Sequence, residues 1–199
     1  MFEDWQVWRG RLMLGGMILL LFFLWLGRYV DYPQPLVVFG VFLAGLGTAV
    51  LGVLDIRSRE SRFEMGEEGY SRTETYRGLS AISWGVFFIL LGLTLSGGAA
   101  LVLFGLGDAA LAFARARPGG LLILGGFLAL TYALPTLRGA VEDNRQLGRL
   151  LTSLPGRLLS VLLIMGGLLL IGLGVWETAA PGAYDAFLAG LAAAWGPPP

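Results

Sequence analysis

Nineteen consecutive residues, Leu36 to Leu54 (LVVFGVFLAGLGTAVLGVL), carry no charge. A helix of that length rises about 30 Å, the thickness of a bilayer's hydrocarbon core. Inside that core no water is present to satisfy backbone N–H and C=O groups, so such a run must close its hydrogen bonds within itself as an α-helix. Comparable runs recur at Leu12–Leu26, Leu79–Leu95, Ala99–Arg115, Leu121–Leu134 and Leu158–Trp176. Only 14% of the 199 residues are charged and 56% are hydrophobic, against about 25% charged in soluble domains. The expected fold is therefore all-α, a polytopic integral membrane helix bundle of about six transmembrane helices, with helical hairpins as its repeating unit.

The chain reads as a single membrane domain over 1–199. Residues 1–11 place Phe2, Trp5 and Trp8 three apart, as an interfacial N-terminal segment would. Residues 12–54 form a hairpin of spans 1 and 2, broken at Pro33 and Pro35. The stretch 55–78 is a polar loop in which RFEM and YSRTETY flank Gly66–Gly69, a pattern that suggests a small β-hairpin as well as a solvated mixed-charge loop. Residues 79–117 give a second hairpin, spans 3 and 4, turning at Ser96-Gly97-Gly98. Span 5 occupies 119–135 and ends at Pro135; its length is borderline for a crossing. An amphipathic joint follows over 138–157, with Leu147, Leu150, Leu151 and Leu154 at helical spacing. Span 6 and a short C-terminal helix fill 158–195, the latter too short to cross.

Gly40, Ala44, Thr48 and Gly52 recur every four residues in span 2. In lipid, helices associate by packing rather than by the hydrophobic effect, and small residues let two backbones approach, so this stripe is expected to be a helix seam. Gly105, Ala109 and Ala112 extend the same logic to span 4, on the face that also carries Asp108. Phe42–Leu46 and Phe187–Leu191 share the sequence FLAGL, each downstream of a Gly-Gly pair with Trp nine residues on. With six crossings, those copies would run in opposite directions as an inverted repeat. The same six crossings put nine arginines on the face of the 55–78 loop and five on the other. By the positive-inside rule this predicts a cytoplasmic N-terminus, the setting being a prokaryotic inner membrane.

The chain contains no cysteine, no histidine and no lysine; all fourteen basic residues are Arg. Disulfides, Cys/His metal centres, histidine-ligated haem, lysine Schiff bases and the commonest general base are thereby removed. With zero net charge and no basic face, nucleic-acid binding is excluded as well. No cofactor and no metal is expected. Asp108 is the one acid inside a long apolar run, and by default an intramembrane carboxylate marks a functional or packing site. Its functional reading is a proton- or cation-linked group near the midplane. The structural alternative is a carboxyl hydrogen-bonded across helices to Thr48, Ser83, Thr94 or Thr131. No second acid, Asn or Gln lies within a span to complete a dyad, so no catalytic residue is assigned and an enzyme is not expected. The leading expectation is a non-catalytic accessory or scaffold protein that binds partners through Gly/Ala seams and polar loops, in a homo-oligomer or a larger membrane complex. A small oligomeric permease or channel using Asp108 is the alternative.

Overall fold

The computed structural model describes residues 33–65, 72–138, 142–143 and 154–195. In chain order these form helix α1 (Pro33–Ser58), strands β1 (Glu60–Met65) and β2 (Arg72–Arg77), and helices α2 (Leu79–Leu103), α3 (Gly107–Ala116) and α4 (Gly119–Arg138). Strand β3 (Glu142–Asp143) and helices α5 (Leu154–Ala179) and α6 (Pro181–Trp195) complete them. The expected interfacial segment 1–11 and span 1 lie outside the described residues, as does most of the 138–157 joint.

Four of these helices, α1, α2, α4 and α5, are long and apolar enough to cross a membrane. The architecture is thus all-α and multi-pass, with four candidate crossings among the described residues where the sequence leads one to expect five. Spans 3 and 4 do not exist as separate crossings: α2 runs unbroken through Ser96-Gly97-Gly98 to Leu103. Two adjacent glycines weaken a helix in water, but in hydrocarbon a turn there would strand backbone groups without partners. The turn falls later. Gly105, at φ +72°, supplies the left-handed residue; its N–H reaches the Val102 carbonyl at 3.0 Å, and the Leu106 N–H reaches Leu101 at 2.8 Å. This is the paired capping pattern that ends helices at glycine.

Span 5 is longer than the sequence suggested, because α4 continues through Pro135 to Arg138. Proline cannot donate to the carbonyl four residues back, here Thr131. The Ser83 hydroxyl of α2 donates to that carbonyl instead, at 2.9 Å. A neighbouring helix therefore repairs the break that proline makes.

The helices are arranged as a row: α1 packs along α2, α2 on α4, and α4 along α5. Among the described residues α1 and α5 form no packed interface. Each spanning helix consequently keeps most of its surface outward, with about a fifth of each apolar window buried.

The polar loop does fold as a hairpin. β1 and β2 pair antiparallel from Glu60↔Arg77 to Met65↔Arg72, and β3 adds to β2 through Glu74↔Asp143 and Thr75↔Glu142. Arg59 (φ +53°) and Gly78 (φ +62°) turn the chain from α1 into the sheet and out again into α2, joined by Gly78 N–H to Arg59 C=O at 3.0 Å. Because β3 comes from the linker between α4 and α5, both helical hairpins are closed at the same end, under one three-stranded sheet. The two described hairpins therefore run in the same direction. FLAGL falls in the middle of the crossing α1 but in the short α6, so it does not mark equivalent hairpins.

Candidate functional site

The polar and small side chains in the row converge on four places: two glycine seams and the two ends of the helices. In the first seam, a Cβ on Gly45 would lie 2.7 Å from the Gly92 carbonyl and 2.6 Å from the Ser96 nitrogen. A Cβ on Gly52 would meet the Gly85 carbonyl, and one on Gly92 the Gly45 carbonyl. The second seam repeats this arrangement: Gly126 faces the Gly167 carbonyl at 2.5 Å, and Gly174 faces that of Gly119 at 2.6 Å. Seven residues separate Gly45 from Gly52, Gly85 from Gly92, Gly119 from Gly126 and Gly167 from Gly174. That is the repeat an antiparallel pair needs to keep one seam facing its partner at a crossing near 20°.

The expected stripe at Gly40, Ala44, Thr48 and Gly52 is thus partly displaced. Gly52 lies in the seam, but its partners are Gly45 and Ala49, the latter packed against Gly92. Thr48 turns its hydroxyl back onto the Ala44 carbonyl of its own helix at 2.8 Å; Ala44 is half-buried and Gly40 is buried. A seven-residue spacing, present in all four spanning helices, carries the packing in place of the four-residue stripe.

Asp108 is not at mid-span. It stands in the first turn of α3, a ten-residue helix after the end of α2, and it is exposed. The geometric premise of an intramembrane carboxylate falls with the division of spans 3 and 4. At this position its negative charge complements the positive N-terminus of α3, as Arg115 complements the C-terminal turn. Gly105 serves the turn described above, and Ala109 and Ala112 are exposed on α3, so none of the three builds a seam. Of the hydroxyls considered as partners for Asp108, Ser83 and Thr131 meet each other through the Thr131 carbonyl. Thr94 bonds within its own helix to Leu90 at 2.6 Å.

Among the described residues two acids are buried. Glu177, 5% exposed, closes the end of α5. Its Oε2 accepts the Gly119 N–H at 3.1 Å, the first backbone donor of α4, and its Oε1 lies 3.6 Å from Arg117 Nη1. A carboxylate at a helix N-terminus satisfies an orphan donor and meets the positive end of the macrodipole. At the opposite end Asp55, 1% exposed, accepts the Ser61 hydroxyl at 2.9 Å and ties the last turn of α1 to the first strand. Neither acid stood out in the sequence, since each sits where an apolar run ends. The available signal was an acid at a span terminus with an Arg or Ser nearby in a turn.

Around the sheet end, Phe63 and Tyr76 from the strands pack on Trp84, which stacks on Phe88 and meets Tyr132 of α4 at 5.4 Å between ring centroids. The Trp84 Nε1 is buried without a hydrogen-bond partner. A hydroxyl pair, Thr136 and Ser160 at 2.9 Å, links α4 to α5 near the same end. Among the described residues no three His, Cys, Asp or Glu side chains come together as a metal site. Comparison with protein-family models, with curated proteins and with solved structures returns no match.

Proposed function

We propose that this chain is a non-catalytic membrane protein, an accessory or scaffold subunit that presents the three-stranded sheet to partners on the cytoplasmic side of a prokaryotic inner membrane. The observation that supports this reading is the use made of the buried carboxylates. Asp55 and Glu177 each hold a helix end to its neighbour, so their charges fix architecture. An acid serving permeation would instead be held near the midplane of the crossing helices.

The orientation rests on arginine. Arg57, Arg59, Arg62, Arg77, Arg138 and Arg157 gather at the sheet end, while Arg115 and Arg117 stand at the other. The positive-inside rule then puts the sheet in the cytoplasm. This replaces the nine-against-five count, because β3 brings the second joint to the same end as the first. With the expected crossing over 12–26, the N-terminus lies on that side too.

The decisive experiment compares proton and cation flux in proteoliposomes holding wild type, Asp108→Asn and Glu177→Gln, alongside affinity capture from native membranes. The expected result is flux no greater than in protein-free liposomes for all three, with a defined complex or homo-oligomer recovered. Flux in the wild type that either substitution abolishes would overturn the proposal in favour of a permease.

A further inference from the structure

We infer that α3 is an in-plane membrane helix whose partner is the phospholipid leaflet at the end of the molecule opposite the sheet. Ten residues rise about 15 Å, half of a hydrocarbon core. The helix cannot cross, yet it is tethered on both sides to α2 and α4, which do. Its faces are sorted. At 100° per residue Asp108 and Arg115 share one side, flanked by Leu111 and Ala112, and Phe113 and Ala110 lie opposite. Gly107, Ala110 and Ala114 are half-covered by the protein, whereas Phe113 is 70% exposed beside them.

Exposed apolar surface of this kind is scarce on parts of a protein that meet water, and a contiguous patch marks an interaction face. Here the patch continues directly from the lipid-facing surface of a crossing helix. Leu101, Val102 and Leu103 end α2 exposed, and Phe104, 80% exposed, carries the same surface across the turn to α3. No charged residue intervenes before Asp108. Continuity with the belt of the crossing helices selects lipid rather than a soluble partner. A second feature fixes the level: at the same end Trp176 packs against Tyr184 and Phe187 of α6, with centroids 6.0 and 5.2 Å apart. Aromatic clusters of this type concentrate at headgroup depth. An interfacial helix with its charged side up and its rings down into the acyl boundary fits all of these observations.

The chain has no cysteine, so single-cysteine variants of the full-length protein can be spin-labelled without a background. Phe104→Cys and Phe113→Cys sample the apolar side, and Ala112→Cys the polar side. Each is reconstituted in phosphatidylcholine liposomes and its collision rates with oxygen and with a water-soluble nickel chelate are measured. The expected result is oxygen favoured severalfold over nickel at 104 and 113, with the order reversed at 112. High nickel accessibility at all three would show α3 projecting into water and overturn the inference. Exclusion of both reagents at 104 and 113 would also overturn it, by showing that protein, a second copy or a partner, covers this side.

Discussion

A methyl group added at Gly126 and the same methyl added at Gly125 should have opposite consequences, although the two residues are neighbours on one helix. At Gly126 the new Cβ would stand 2.5 Å from the Gly167 carbonyl oxygen, 2.6 Å from Ile171 Cγ1 and 3.1 Å from the Ile171 nitrogen. A carbon and a carbonyl oxygen rest no closer than about 3.3 Å, so α4 and α5 must part locally by roughly 0.8 Å. A gap of that order forfeits about a quarter to a half of each contact's well depth along the seam, and overpacking of this kind costs about 1–3 kcal/mol. At Gly125 the nearest atom, Leu170 Cδ1, is 4.0 Å away, an ordinary contact. The gain in helix propensity of about 1 kcal/mol from Gly to Ala is common to both and cancels in the comparison. Gly126→Ala should therefore be less stable than Gly125→Ala by about 2 kcal/mol, roughly a thirty-fold difference in the unfolding equilibrium. Steric trapping or SDS titration in mixed micelles reads that difference directly. Equal stability of the two variants, or a larger loss at 125, would refute the close seam and the seven-residue logic behind it.

The other predictions follow from the polar contacts. Ser83→Ala should cost about 0.6 kcal/mol, the average for interhelical hydrogen bonds in membranes, and no more than about 1.7 kcal/mol. In a Pro135→Ala background, where residue 135 can again donate to the Thr131 carbonyl, the cost should shrink, and a double-mutant cycle measures the coupling. Glu177→Ala leaves the buried Gly119 N–H unsatisfied and should cost about 1–3 kcal/mol. Glu177→Gln, which keeps an acceptor oxygen, should retain most of the stability in the same unfolding assay. Asp108→Asn should change stability by no more than about 0.5 kcal/mol, as expected for an exposed surface position; a large loss would mean that Asp108 is buried in the folded protein. Ser61→Ala should accelerate amide hydrogen exchange in β1 and β2 while leaving the centres of α4 and α5 protected, because it removes the contact that docks the sheet on the end of α1.

Much of the far end of the molecule was hidden by a single misplaced turn. A break at Ser96-Gly97-Gly98 creates an extra crossing, puts Asp108 inside it, exchanges the faces of Arg115 and Arg117 with those of Arg138 and Arg157, and turns parallel hairpins into inverted ones. Glycine pairs are strong turn signals in water because solvent satisfies the opened backbone. In a helix flanked by lipid that option is missing, and the turn waits until Gly105, where the apolar run can end in the capping pattern described. Pro135 misled for a related reason. Proline ends most helices, and only the presence of Ser83 on an adjacent helix, 48 positions away in the chain and 2.9 Å from the freed carbonyl, lets this one continue.

The sequence by itself determined that the chain belongs in a membrane and that α1 and α5 are long and apolar enough to cross it, and it offered a β-hairpin as one of two readings of the polar insert. These follow from local terms: the lengths of the apolar runs, and alternating residues bounded by glycine. Tertiary structure alone decided which glycines meet and which are lipid-facing. It decided that two linkers far apart in sequence share one sheet, and that Asp55 and Glu177, rather than Asp108, are the buried acids. Those outcomes depend on a partner surface that no local window contains: a Cβ is forbidden at Gly126 and free at Gly172 only because the Gly167 backbone lies against one of them.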